Sequence, residues 1–233
     1  MLFPPMKNKA NGFTLIEMVV ALSLLSIATA ATVPTIARNR WQKDVDGYAI
    51  KLESGLLDLK AKLGKQKTSC EIEFPTAYSF QTPENLVEFS QQSSGNTTTM
   101  QCCNSEISRL TNDPDCRDGT PGYSLSALTG RDQDNLRMVQ FESTPESKSV
   151  RVAVSTTKFG LTPPGTTLNA EQITFLICHE QSLSPNDSTS CIADQNRLDI
   201  RCVQIDGTGE VASGIWKLEQ PTSPISSGLC TTT

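Results

Sequence analysis

The sequence predicts an α+β fold: one long amino-terminal helix, then a head built on an antiparallel sheet of about four strands with disulfide-stapled loops. Three observations predict it. An apolar run from Phe13 to Ile36 passes into a one-sided apolar pattern that ends at Leu63. Short β-rich segments are confined to the region beyond Asn135. All eight cysteines lie after residue 64.

The helix comes first. Phe13 to Ile36 is about two dozen residues, roughly 36 Å of helix at ~1.5 Å per residue. A hydrocarbon core needs about 20 residues, so the first half of the helix can span a bilayer. Ile36, Val45, Tyr48, Ala49, Leu52, Leu56, Leu59 and Leu63 then recur mostly at three- and four-residue steps, the period of an amphipathic helix. Gly64 is read as its stop. Pro34 removes a backbone donor and loosens the helix where it leaves the membrane, and Gly47 and Gly55 weaken it further. The same proline is compatible with simple curvature or with a helix that extends when packed in a filament.

Glu17 is the residue in this run that needs a reason. An ionisable group in a membrane helix costs at least ~2.5 kcal/mol and marks a functional site by default. It lies one turn from Phe13, whose α-amino group would be free if the chain were cut after Gly12. That amine, or the same amine of a neighbouring chain, is a cation able to pair with it in apolar surroundings. Gly12-Phe13-Thr14-Leu15-Ile16-Glu17, with the apolar run behind it, resembles the class III signal and N-terminal methylation motif of type IV pilins and type II secretion pseudopilins. The resemblance covers about the first fifty residues. It implies that a prepilin peptidase removes residues 1–12 as a leader and methylates Phe13, and that Glu17 helps to dock an incoming subunit. It also implies partners: other pilin subunits through the amino-terminal helix, and an inner-membrane assembly platform. The organisation that follows is a leader over 1–12, a helix over 13–64 with 13–36 as transmembrane segment and filament core, and an exported head over 65–233. Within the family, a minor pilin or a pseudopilin fits the large, cysteine-rich head better than a bulk filament subunit does.

An ordinary secretory signal peptide is the competing reading, with Lys7 and Lys9 as its basic region and Ala28-Thr29-Ala30 as its cleavage site. Glu17 interrupts its apolar region, and the apolar character continues past Ala30 to Ile36. Lys7 and Lys9 favour a cytoplasmic amino terminus and a head on the far side of the inner membrane. The expected final location is a periplasmic or extracellular filament.

The net charge of −5 is uneven, about +3 up to Gly64 and about −8 in the head. General phosphate binding relies on Lys and Arg, so nucleic acid is not predicted as a partner. Cys70, Cys102, Cys103, Cys116, Cys178, Cys191, Cys202 and Cys230 form an even set beyond an exporting segment, which reads as disulfides. The connectivity is open, except that Cys102 and Cys103 are expected to take different partners, since adjacent cysteines bridge only under strain. Cys230 is expected to tie the tail to the sheet.

Lys65 to Gly130 reads as a long connection with short helices over Glu84–Ser90 and Ser105–Leu110, held by disulfides instead of a core. The strands are Asn135–Glu142, Ser149–Thr156, Ile173–Glu180 and Arg197–Ile205, with a possible short one over Gly214–Glu219. The first two flank a polar turn at Ser143–Lys148 and are predicted to form a hairpin. Asp206-Gly207-Thr208-Gly209 is a second turn.

The head offers little chemistry. His179 is the single histidine and sits beside Cys178, but adjacent strand residues point to opposite faces, which separates a Cys/His pair. One histidine leaves zinc dependent on thiolates that oxidise in this compartment. Asp113, Asp115 and Asp118 make a weak calcium candidate whose spacing departs from an EF-hand loop and which Arg117 interrupts. No catalytic residue and no cofactor are predicted, and the function expected is structural.

Overall fold

A computed structural model describes residues 14–66, 69–88, 98–103, 126–127, 138–139, 144–162, 166–167, 172–192, 198–220 and 223–232. The first element is helix α1, Leu15–Gln66. It runs through Gly64, three residues beyond the expected end at Leu63. A glycine stops a helix only where the next turn is not otherwise held, and Leu63 is fully buried. The chain divides into two compact units, residues 1–40 and 41–233. Each is described separately.

In the larger unit, strands β1 (Ser69–Glu73), β2 (Thr99–Cys103), β3 (Ser126–Ala127), β5 (Lys158–Thr162) and β6 (Thr166–Thr167) form one antiparallel sheet in the order β3-β2-β1-β5-β6. Strands β4 (Val150–Val154), β7 (Ile173–His179), β10 (Arg201–Ile205), β11 (Val211–Lys217) and β12 (Leu229–Thr232) form a second, ordered β12-β11-β10-β7-β4. A small hairpin pairs β8 (Leu183–Ser184) with β9 (Asp187–Cys191). Short helices α2 (Pro83–Leu86) and α3 (Pro145–Ser149) and the 3-10 turns Glu180–Ser182 and Ile225–Ser227 complete the described elements.

The second sheet is covered on both faces. Strand β7 reads ITFLICH and is buried at every residue, as expected of a central strand with no solvent face. Val150, Val152 and Val154 of β4, Ile173, Phe175 and Ile177 of β7, and Val203 and Ile205 of β10 pack with Val45, Tyr48, Leu52, Leu56, Leu59 and Leu63 of α1. Ile72 of β1 and Phe159 and Leu161 of β5 join the same core, so one helical stripe serves both sheets. Phe74 meets Phe175 edge-on at 5.9 Å. The opposite face of the second sheet carries Ala153, Leu176, Cys178, Cys202 and Trp216, covered by Phe80, Leu183 and Ile225.

The α+β class and the stripe of α1 laid on a sheet match the expectation. Four of the expected strands sit in the second sheet, with one more neighbour, β12. The hairpin between 135–142 and β4 is not formed. Met138 and Val139, the described part of that stretch, are outside any strand, and Gln81 bridges Val152 on the free edge of β4. The intervening turn is helix α3. Thr144 caps it by accepting from the Ser147 amide at 3.3 Å, and Pro145 takes the first position. Thr144-Pro145-Glu146 is thus a helix start where a polar turn is expected. The long connection is also more ordered than expected: β1 and β2 pair along five residues, from Ser69 opposite Cys103 to Glu73 opposite Thr99. The expected helix Glu84–Ser90 is a single turn, and Ser105–Leu110 lies outside the described residues.

Two glycines of α1 have different settings. A Cβ on Gly55 would lie 1.7 Å from the Met138 carbonyl oxygen and 2.8 Å from its carbon, so this glycine lets the 138–139 backbone lie directly against the helix. A Cβ on Gly47 would meet nothing within 4 Å.

Candidate functional site

The amino-terminal end of α1 holds the candidate site. Thr14 precedes the first helical residue, and Glu17 is three positions on. The Thr14 amide and hydroxyl each donate to Glu17 Oε2 at 2.8 Å, and the Glu17 amide donates to Thr14 Oγ1 at 3.3 Å. This reciprocal arrangement is a capping box, satisfying backbone donors that a helix start leaves open. Glu17 therefore closes its own helix. The Thr-x-x-Glu spacing is the sequence signal for that role.

Around this carboxylate the helix is apolar and uncovered. Ile16, Val20, Ala21 and Leu24 surround Glu17 in a shallow concavity. Leu15, Ile16, Leu22, Leu24, Leu25 and Ile27 are all exposed. The hydroxyls in this stretch turn back on the helix: Ser23 donates to the Val19 carbonyl at 2.8 Å, Ser26 to Leu22 at 2.8 Å, and Thr32 to Ala28 at 3.0 Å. These side-chain hydroxyls are thus satisfied within the helix, as a lipid-facing surface requires. Pro34 lies inside α1 and has no amide to offer the Ala30 carbonyl. An 18-residue window of this helix has a mean hydropathy of 2.0, long and apolar enough to cross a membrane. Gly12 and Phe13 lie outside the described residues.

Residues 7–33 match the prokaryotic N-terminal methylation motif. The resemblance read from Gly12 to Glu17 is thereby supported over the segment that carries it, and that motif together with the apolar helix fits a membrane-anchored pilin. Among solved structures, the type IV minor pilin FimU of Pseudomonas aeruginosa (strain PAO1) is similar in two crystal forms, at 13% and 11% identity with TM-scores of 0.32. The matches cover 82% and 79% of this chain and 96% of FimU. Scores of that size do not establish a shared fold. No curated protein matches the sequence significantly.

In the head, Cys178 is bonded to Cys191 and Cys202 to Cys230, both on the sheet face away from α1. The second bond ties the tail to β10. Cys70 is also disulfide-bonded, and no cysteine among the described residues is free. Cys116 and the side chains of Cys102 and Cys103 lie outside the described residues, as do Asp113, Asp115 and Asp118 with the calcium question they raise. Among the described residues no three His, Cys, Asp or Glu side chains group to hold a metal.

His179 is 2% exposed and serves the fold. Its Nδ1 accepts from the Gln181 amide at 3.1 Å, which places the ring proton on Nε2. Nε2 makes no hydrogen bond and faces Asp44 at 3.9 Å, with the Trp41 ring 5.6 Å away. Burial pushes its pKa below the ordinary histidine value, against the pull of Glu180 and Asp44. Asp46 anchors α1 to β10. Arg201 Nε donates to its Oδ1 at 2.6 Å and Gln42 Nε2 at 2.9 Å, while Gln42 Oε1 accepts the Asp199 amide at 2.8 Å. Burial raises the Asp46 pKa, but these donors outweigh it and the net shift is downward. Lys51 donates to Glu146 at 2.9 Å and helps lower that carboxyl to about 2. Tyr48 donates to the buried Glu88 carboxylate at 3.0 Å, and burial with that neighbour pushes the phenol far up. The Asp206 turn is a hairpin loop: Asp206 Oδ1 accepts from the Thr208 amide at 2.9 Å, its hydroxyl at 2.7 Å and the Glu210 amide at 2.8 Å.

These shifts give a signed pH dependence. His179, Asp46 and Glu146 all titrate lower in the fold than in the unfolded chain, so unfolded chains bind more protons and acid favours unfolding. The contribution is full above the unfolded values and is lost as pH falls through the folded ones. Melting temperature should fall from pH 7 downward, first below about 6.5 through His179 and again below about 4.5 through the carboxyls. In thermal melts of the full chain in detergent, His179→Gln should remove the first decline and keep the second. A flat profile from pH 7 to 3 would contradict the assignment.

Proposed function

We propose that this chain is a structural subunit, a minor pilin or pilin-like protein, of a type IV pilus or related filament. A prepilin peptidase cuts between Gly12 and Phe13 and methylates the new terminus. The subunit waits in the inner membrane with its amino end cytoplasmic and its head exported, then enters the filament through α1, with the inner-membrane assembly platform as its other partner. The matched methylation motif over residues 7–33 carries the reading. The uncovered apolar helix, the carboxylate within it and a disulfide-bonded head support it. The role needs no catalytic residue and no cofactor.

In this reading the Phe13 amine of a neighbouring subunit approaches Glu17 within an apolar bundle. Glu17 then exchanges part of its bond to Thr14 for a charge-assisted one, and Pro34 lets the helix adjust on packing. The pseudopilin of a type II secretion system is the second reading, supported by the same motif. A membrane-anchored binding module that never polymerises is the third.

Processing is tested directly. Mass spectrometry of the protein from its native membrane should find a chain beginning at N-methylated Phe13. A chain beginning at Met1 or at Ala31 would contradict the leader assignment.

A further inference from the structure

On the outer side of β4, a groove of about 620 Å³ runs between the Pro75–Asn85 segment and the β8–β9 hairpin. Its volume is within the range of small-molecule sites, roughly 300–1,000 Å³. Both walls are fixed in advance. Gln81 is bridged to Val152, the Tyr78 amide donates to the Val154 carbonyl at 2.7 Å, and the Phe80 amide donates to the Thr189 carbonyl at 2.8 Å. The Cys178–Cys191 bond holds the hairpin. Tyr78 has a φ of 53°, a left-handed conformation that a bulky residue adopts at a cost and that concentrates at functional positions.

The lining narrows the ligand chemistry. Thr76, Gln81, Thr82, Asn85, Ser188 and Thr189 line it with hydroxyls and amides. Gln81 Nε2 already donates to Thr76 Oγ1 at 2.9 Å and the Thr189 hydroxyl to Asp187 Oδ1 at 2.7 Å, which leaves their remaining hydrogen-bonding capacity, with Thr82, Asn85 and Ser188, to a ligand. Among the described residues no carboxylate lines the groove, which disfavours a cation. The one cation among its described lining residues, Arg151, is already paired with Glu180 at 3.2 Å and donates to the Lys148 and Val150 carbonyls, which disfavours an anion. Pro75 and Leu183 add partly exposed apolar surface beside these groups. The exposed Thr82 hydroxyl precedes α2 without capping it. Uncharged bidirectional hydrogen-bonding groups alternating with apolar surface match a ligand that has hydroxyls on its edges and C–H groups on its faces. We propose that this groove binds an uncharged saccharide chain.

The proposal does not depend on the assembly reading, and its test is separate from it. Full chain in a detergent without sugar headgroups would be applied to immobilised uncharged hexose and N-acetylhexosamine oligosaccharides, alongside sialylated and sulfated glycans and peptides. At least one uncharged oligosaccharide should be retained. The variant Thr82→Val with Asn85→Ala should raise its half-saturation concentration at least about tenfold, the loss of one or two well-formed hydrogen bonds. Asn85→Trp, which fills the groove from an exposed position, should abolish binding. The melting temperatures of both variants should stay at the wild-type value. Retention of no uncharged oligosaccharide, retention of charged glycans or peptides alone, or equal binding by the variants would overturn the proposal.

Discussion

Glu17→Ala should leave the protein exported and membrane-bound but reduce its incorporation into sheared filaments at least about tenfold. Removing one member of an ion pair in apolar surroundings strands the other charge, at a cost of about 3–5 kcal/mol, and each 1.4 kcal/mol is about a factor of ten. The capping box complicates this variant, because alanine also removes the Glu17–Thr14 bonds. Two companions separate the effects. Thr14→Ala removes the cap and keeps the carboxylate, at a cost of about 0.5–2 kcal/mol. Glu17→Gln keeps a side chain suited to the capping box and removes the charge. If intersubunit pairing governs assembly, Glu17→Gln should resemble Glu17→Ala, and Thr14→Ala should assemble nearly normally. Equal incorporation of Glu17→Ala and wild type would count against the pairing.

The second large effect is one substitution with opposite outcomes at two places on α1. Gly55→Ala puts a methyl group 1.7 Å from the Met138 carbonyl oxygen, and the contact is backbone that cannot rotate away. Overpacking of this kind costs about 1–3 kcal/mol, and so tight a contact belongs at the upper end. Alanine's helix preference returns about 1 kcal/mol. The net loss of about 2 kcal/mol should lower the melting temperature by roughly 4–8 °C. Gly47→Ala meets nothing within 4 Å. It should gain the propensity term alone and raise the melting temperature by roughly 2–4 °C. Thermal melts of the two variants check both signs, and a shared sign would mean that the 138–139 backbone does not rest on Gly55.

These residues show where the sequence was readable. The stripe from Val45 to Leu63 was legible because a helix repeats its apolar positions every three or four residues over many turns. Strand β7 was legible because an apolar run of its length leaves few alternatives. The strands Ser69–Glu73 and Lys158–Thr162 were not, since five residues carry too little periodicity to outweigh the prolines and polar tracts around them. The supposed strand at 135–142 failed for a different reason. Its apolar residues Met138 and Val139 are buried, but against the helix at Gly55, and apolar content alone does not distinguish that packing from strand pairing. At the amino-terminal site the chemically unusual residue was legible and its local partner was overlooked, because Thr14 is unremarkable until the helix start is fixed. The groove beside β4 was not legible at all. Its hydroxyls and amides come from segments about a hundred residues apart, which the bridge of Gln81 to β4 and the Phe80–Thr189 backbone bond bring together.

Quantifying this chain in sheared, washed filaments, by counting its Phe13 amino-terminal peptide against the bulk subunit, tests the account most directly. The account predicts that the processed chain is present there at a fixed ratio and is lost from filaments, but not from membranes, in Glu17→Ala cells. Finding the chain confined to the membrane fraction in wild-type cells with abundant filaments would contradict it.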